Sequence, residues 1–449
     1  MQDQARYPPG PRSRLPGGLF VRLRARPLAL LRELAAEYGD LVHFQVAGQH
    51  VYLANQPDYV HELLVTKRAH LTLSRRHRMA RRVLGNGLLT SEGELHRRQR
   101  RLLQPAFRPY SVERYAPTVT AHAQRLRDQW QAGSVLDLHA AMMQLTLAVG
   151  AEALFGADLH AEAVAFLEAL EQVTAMFDRV TNPFAELLWR LPLPANRRFL
   201  RALASLDATV AHLVAARRAS PADRHDLLTL LLNARDLGGD AQGMSDAQLR
   251  DEVLTILLTG HETVATALAW TWHLLAQHPA AQERLGAELD AVLGRRDPTA
   301  ADMERLPYTR RVLQESLRLY PPSWVLGQEV VAEITLGGYT IPVGSVVLVS
   351  QYVLHRDPRF FPEPEGFDPD RWDRDGAAKL PTFAYFPFGG GPRTCIGEPF
   401  AWVELTLILA TLAQRWRVRP VPGEVVEPWP HVTLRPKGAL RLVLEQRSP

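Results

Sequence analysis

The residues best equipped for chemistry sit together near the C-terminal end, in Phe388-Gly389-Gly390-Gly391-Pro392-Arg393-Thr394-Cys395-Ile396-Gly397. Cys395 is the only cysteine in the chain, so no internal disulfide competes for it, and a thiolate is a strong ligand for a metal. Glycines let a backbone approach a flat ligand closely, and amides turned inward can hydrogen-bond a thiolate and hold it deprotonated. A lone cysteine can also be inert packing in a turn. Four glycines and an arginine around it favour a ligand.

Three further groupings qualify. Thr259-Gly260-His261-Glu262-Thr263 sets a glycine, an acid and two hydroxyls inside a helical stretch, where glycine costs about 1 kcal/mol against alanine. A tolerated glycine beside a back-bonding threonine is the plainer meaning. His96-Arg97-Arg98-Gln99-Arg100-Arg101 puts His96 and Arg100 on one helix face and Arg97 and Arg101 on the next, otherwise a solvated charged face. Glu315-Ser316-Leu317-Arg318 spaces opposite charges three apart, a pattern usually worth little on a surface.

The Phe388–Gly397 segment resembles the haem-binding signature F-x-x-G-x-R-x-C-x-G of the cytochrome P-450 family, matched at every specified position. That resemblance implies haem b, iron protoporphyrin IX, with Cys395 as its metal ligand. It further implies Phe388 beneath the cysteine side of the haem, Arg393 on a propionate, and Gly389 and Gly397 as further cofactor-binding residues. A thiolate ligand favours O–O cleavage. Thr259–Thr263 is similar to the family's oxygen-activation motif: Thr263 hydrogen-bonds the oxygen, Glu262 feeds protons from solvent, and the helix opens locally at Gly260. The family more often has Ala or Gly where Thr259 stands. His96 and Arg100 look like its propionate-binding pair, leaving Arg97, Arg98 and Arg101 as a docking patch for an acidic electron donor. Together with Phe367-Asp368-Pro369-Asp370-Arg371-Trp372, Glu315 and Arg318 resemble its structural triad with Arg371. Gln328 departs from the pattern, since the family usually has Arg there.

The elements that must position these residues are mostly helical. A capping-box spacing, Ser245 to Gln248, opens a helix running to Gln277, about 48 Å long and apolar on most sides over Val253 to Leu258. Helical spacing extends from roughly Asp58 to Gln277. Strands are expected at Leu41 to Val46 and His50 to Ala54 around Gly48, at Ile334 to Val349, and in a terminal hairpin from Val432 to Leu444 turning at Pro436-Lys437-Gly438. Tyr7-Pro8-Pro9-Gly10-Pro11 cannot be helical and reads as a strap. The expected fold is mainly α with small β sheets, the cytochrome P-450 fold, with haem between the long central helix and the Cys395 loop. It forms one domain over 1–449, in which 1–40 is a proline-rich lead and first helix.

Composition excludes other classes. The 449 residues are 46% hydrophobic and 22% charged, as in ordinary globular proteins. The 52 basic against 48 acidic residues give no electrostatic footprint for nucleic acid. Five arginines between 12 and 26 interrupt any apolar run in the first forty residues, so no transmembrane segment is expected and the protein is placed in the cytoplasm, membrane-associated only through a lipophilic substrate. Ala265 stands where a zinc-protease motif begun at His261-Glu262 needs its second histidine. None of Lys67, Lys379 and Lys437 follows a glycine, as a P-loop requires, and no G-x-S-x-G exists.

The function implied is a monooxygenase that inserts one oxygen atom of O2 into a C–H bond of a hydrophobic substrate. Electrons come from NAD(P)H through a separate ferredoxin or flavodoxin-type donor. Leu88, Leu89, Thr259, Val325 and Leu326 are the expected pocket walls, with Pro321, and Phe184 to Pro194 reads as an apolar entrance or an ordinary connection. The stretches 191–199 and Pro321-Pro322-Ser323-Trp324 resemble carotenoid- and fatty-acid-hydroxylating members, a carotenoid being favoured. A peroxide-driven haem-thiolate enzyme and a non-catalytic haem or gas sensor are the alternatives.

Overall fold

The computed structural model describes residues 7–11, 18–157, 163–175, 189, 191, 193–219, 226–235, 243–373, 376 and 378–447. Two compact units are formed, each from two stretches of chain: Met1–Arg78 with Leu317–Cys395, and Met79–Ser316 with Ile396–Pro449.

The first unit is built on a five-stranded sheet. Its strands are β1 (Leu41–Val46), β2 (Gln49–Ala54), β3 (Leu71–Leu73), β5 (Leu326–Val330) and β8 (Val346–Val349), in the order β1-β2-β8-β5-β3. β1 and β2 form the expected hairpin, Leu41 opposite Ala54 and Val46 opposite Gln49. β6 (Ile334–Leu336) and β7 (Tyr339–Ile341) make a second, separate hairpin. Tyr52, Val60, Leu63, Val330, Val347 and Leu354 fill the core on this sheet. The proline strap lies along β1: the His43 amide donates to the Pro9 carbonyl at 3.0 Å, and the Tyr7 ring stacks on His43 at 4.4 Å. Pro8, Pro9 and Pro11 carry no amide hydrogen, so the strap accepts from β1 where it could not donate.

The second unit is organised by the helix Asp246–Gln277, capped as its sequence predicts: the Gln248 amide donates to Ser245 Oγ at 3.2 Å and the Ser245 amide to Gln248 Oε1 at 3.1 Å. This central helix buries nearly its whole circumference against the helices Leu138–Phe155 and Glu398–Ala413, with Trp270 and Trp272 fully buried. Leu138–Phe155, Pro194–Ala219 and Asp246–Gln277 are long and apolar enough to cross a membrane, by length and composition only; the first and third bury 56% and 78% of that span inside the protein. Burial on all sides requires the same composition as a membrane span, and those two helices are core elements.

The terminal hairpin is not formed. β11 (Leu434–Pro436) pairs with β10 (Pro428–Pro430), whereas β12 (Arg441–Gln446) lies between β4 (Val135–Asp137) and β9 (Trp416–Pro420). Leu442, Val443 and Leu444 are consecutive buried residues, so β12 is covered on both faces and takes the central place in a three-stranded sheet. β3 and β4 also break the span read as continuously helical from 58 to 277. Each is only three residues long, too short to show a two-residue period.

Candidate active site

In the first unit the cysteine loop is a tight, backbone-ordered hairpin. The Cys395 amide donates to the Phe388 carbonyl at 2.9 Å, the Thr394 amide to Gly391 at 3.0 Å, and the Gly389 amide to Phe386 at 2.9 Å. The Cys395 amide is therefore spent on closing the loop rather than turned toward its own sulfur. Gly389 and Gly391 have φ of +73° and +66°, and a Cβ on Gly391 would lie 2.1 Å from the Leu64 carbonyl oxygen. No side chain fits there, so the loop packs backbone on backbone and leaves the thiol of Cys395 exposed. Phe388, Arg393 and Gly397 are all half-buried around it. On β5, Leu326 comes within 3.8 Å of where a Gly389 side chain would begin. Val325, just ahead of the strand, is half-buried too.

Below this loop the first unit is stiffened by buried polar bonds. Arg318, fully buried, donates to the carbonyls of His355, Pro364 and Gly366 at 2.9, 2.6 and 2.8 Å, and Arg371 donates to the Pro362 carbonyl at 2.7 Å. His355 in turn accepts the Phe386 amide at 3.0 Å, which links this network to the start of the cysteine loop. Burial, with the nearby Arg318 and Arg356 charges, holds the His355 imidazole neutral, as an acceptor must be. Glu315 is fully buried on the same helix as Arg318, Pro307–Leu319.

Gln328 lies on β5 between Leu73 of β3 and Val347 of β8. It is buried, and its amide oxygen meets no hydrogen-bond partner among the described residues.

In the second unit the central helix is buried almost throughout, yet Leu258, Thr259, Gly260 and Thr263 are only half-buried. Residues 259, 260 and 263 share one face. A Cβ on Gly260 would touch nothing within 4 Å, so open space stands over this stripe. The helix is continuous here, contrary to the expected local opening. Thr259 Oγ1 donates to the Thr255 carbonyl at 2.8 Å and Thr263 Oγ1 to the Thr259 carbonyl at 2.9 Å. Both hydroxyls are thereby satisfied within the helix and remain acceptors on the open side.

Glu262 and His261 point elsewhere. Glu262 is buried and accepts from Thr433 Oγ1 at 2.6 Å. His261 is buried with Nδ1 2.6 Å from the Leu257 carbonyl, while Thr146 Oγ1 donates to its own carbonyl at 3.0 Å. Burial depresses the His261 pKa. Beside it a cavity of about 10 Å³ is lined by Thr146, Gly150, His261, Phe400 and Glu404, and Gly260 borders it too. Glu404 is fully buried, which pushes its carboxyl well above the usual range, and sequence reasoning passed it over. Its signal was one acid inside the apolar run 402–413.

On the helix Gly93–Leu103, His96 is buried and Arg100 half-buried on one face, as their spacing predicts. The adjoining arginines are not equivalent. Arg97 and Arg101 are exposed and share Glu94, at 2.7 and 3.6 Å. Arg98 does not belong to an exposed patch: it is half-buried and donates to the Gly243 carbonyl at 3.2 Å. Leu88 is buried and Leu89 exposed on the preceding loop. The stretch 184–194 lies largely outside the described residues.

Among the described residues no cluster of three or more His, Cys, Asp and Glu is placed to hold a metal ion, so a metal at Cys395 must bring its other ligands with it. An exposed thiol on a glycine-rich loop fits haem as the group that does so. A sequence profile of the cytochrome P-450 family matches residues 8–442, and the chain belongs to that family. It is 42% identical over 442 residues to cyclooctatin synthase of Streptomyces melanosporofaciens, covering 96% of this chain and 95% of that one. Cyclooctat-9-en-7-ol 5-monooxygenase of the same organism is 40% identical over 408 residues, covering 90% and 88%. Pentalenene oxygenase of Streptomyces avermitilis is 34% identical over 434 residues, covering 95% of each chain. The crystal structure of the cytochrome P-450DA haem domain superposes with a TM-score of 0.88 at 28% identity over 98% of both chains. The fold is the P-450 fold, and the protein is a haem monooxygenase of hydrophobic substrates that takes its electrons from a redox partner.

Proposed function

We propose that the chain, as one domain over 1–449, hydroxylates a cyclic terpenoid alkene or alkenol. Cys395 would ligate the haem iron; Phe388, Gly389 and Gly397 would pack against the haem, and His96, Arg100 and Arg393 would hold its propionates. When bound, haem supplies dioxygen activation. The chain's own part is to orient substrate and relay protons: Thr263 presents a hydroxyl acceptor on the open stripe, Gly260 keeps that stripe clear, and Glu262 sets a carboxyl one residue away. Leu88, Leu89, Thr259, Val325 and Leu326 supply apolar walls.

The exposed thiol on the glycine loop carries this reading. It is tested by the absorption spectrum of the dithionite-reduced, carbon monoxide-saturated protein beside Cys395→Ala. A strongly red-shifted Soret band in the parent alone is expected. A histidine-type band in the parent, or no haem, reopens the sensor reading. The retained Glu262 and Thr263 argue against a peroxide-driven enzyme, and turnover with peroxide alone decides that point.

The relatives named for cyclooctat-9-en-7-ol and pentalenene favour a compact ring system over the carotenoid read from 191–199 and 321–324. Spectral titration with cyclooctat-9-en-7-ol, pentalenene, a carotenoid and a fatty acid separates these, and binding of the last alone rejects a terpenoid. Electrons are proposed to come from NAD(P)H through a ferredoxin or flavodoxin-type protein docking near Arg97 and Arg101, with Arg98 behind them, in the cytoplasm. Reduction slowing as ionic strength rises checks the docking.

A further inference from the structure

The loop that precedes the helix Gly93–Leu103 is tied to the central helix through its own backbone. Asp251 Oδ2 accepts the Asn86 amide at 2.8 Å, and Glu252 Oε2 accepts the Leu88 amide at 3.0 Å. Arg250 donates to the Val83 carbonyl at 2.8 Å and to Asp251 Oδ1 at 2.9 Å, so it orients the Asp251 carboxylate as well as the chain entering the loop. In addition, Gln99 Nε2 donates to the Asn86 carbonyl at 2.6 Å, and Arg81 Nε to the Thr90 carbonyl at 2.9 Å.

The approach is close enough to exclude side chains. Gly85 has φ of +53°, and a Cβ there would stand 2.1 Å from both carboxylate oxygens of Asp251; one on Gly87 would stand 2.1 Å from Thr255 Oγ1. A surface loop has no need of acidic partners, because water satisfies its amides. Here two consecutive carboxyls and two glycines set one arrangement of residues 85–88. Glu252 is fully buried, and burial pushes its carboxyl up to about 8 against the lowering pull of the Leu88 amide. Near neutral pH it is held mainly as the acid, which spares the contact an uncompensated buried charge.

We propose that Asp251 and Glu252 are positioning residues for substrate selection: by gripping the amides of Asn86 and Leu88, they fix how Leu88 and Leu89 meet the substrate. Glu252 lies about two helical turns ahead of Thr259, so the grip and the open stripe share one rigid element. The inference rests on the reading above that this loop lines the pocket.

The test uses the haem-loaded protein and two iron-binding probes of different bulk, imidazole and clotrimazole, together with hydrogen exchange of the segment 83–91. Four forms are compared: parent, Asp251→Ala, Asp251→Asn and Leu88→Ala. In Asp251→Ala the segment should exchange faster, and clotrimazole should bind about tenfold more weakly while imidazole is unchanged. Asp251→Asn keeps an oxygen acceptor for the Asn86 amide and should restore both readouts. Parental exchange in Asp251→Ala, or faster exchange with the clotrimazole-to-imidazole ratio unmoved, overturns the proposal. If Leu88→Ala also leaves that ratio unmoved, the pocket-wall reading itself fails; if Leu88→Ala moves it and Asp251→Ala does not, only the grip is rejected. Should Asp251→Ala fail to fold, Glu252→Gln is read in its place, since it keeps the oxygen that accepts the Leu88 amide and removes ionisation. Its clotrimazole affinity should then hold steady between pH 7 and 9 where the parent's falls, and a parallel fall in both rejects the proposal.

Discussion

Thr433 donates its hydroxyl to Glu262 Oε1 at 2.6 Å, across 171 positions of sequence. The Glu262 carboxyl is therefore steered by the turn between β10 and β11, not by its neighbours on the helix. If Glu262 passes protons, Glu262→Gln lowers turnover by about 100-fold, the usual scale for a positioned acid. Thr433→Val preserves shape and loses the hydrogen bond. It should divert reducing equivalents into hydrogen peroxide, read as less product per NAD(P)H consumed. Unchanged coupling would remove Thr433 from proton delivery.

Glu252 gives stability a signed dependence on pH. Its folded pKa, about 8, is raised above the carboxylate value of the unfolded chain. That contribution is complete below pH ~4.5 and is lost as pH rises through about 8, at about 1.4 kcal/mol per unit. Glu252→Gln cannot ionise. Its thermal stability advantage over the parent should widen from pH 5 to pH 8 and then level, as followed by circular dichroism melts; a constant gap contradicts the raised pKa.

Gln328 leaves a buried amide oxygen without a partner among the described residues, where the family usually carries arginine. A charge-assisted hydrogen bond to a haem propionate is worth about 1.5–3 kcal/mol. Gln328→Arg should accordingly slow haem transfer to apomyoglobin by about tenfold. Equal loss rates would show that the propionates are held well enough by His96, Arg100 and Arg393.

Gly260 has room for a side chain and sits mid-helix. Gly260→Ala should stabilise the fold by about 1 kcal/mol through helix propensity, while crowding the open stripe and weakening substrate binding. A lower melting temperature would mean that the space over Gly260 is not free.

The Cys395 loop, the capped helix from Ser245 to Gln277 and the β1–β2 hairpin were legible because each is written in local chemistry: a fixed-spacing signature, a capping box, a glycine turn between β-branched runs. Spacing also set His96 and Arg100 on one face. Local pattern could not say which arginines stay exposed, since Arg98 is claimed by the carbonyl of Gly243, 145 residues away. Nor could it choose the partner of β12: a buried strand pairs with whatever sheet edges the fold brings, here β4 and β9. The Thr433 bond to Glu262 and the grip of Asp251 and Glu252 on Asn86 and Leu88 belong to the same class. Hydrogen-bond partners distant in sequence leave no periodicity in it. The sequence alone determined the chemistry the chain carries; tertiary structure decided what each polar group is spent on, because burial drives most donors and acceptors to a partner wherever the folded chain places one.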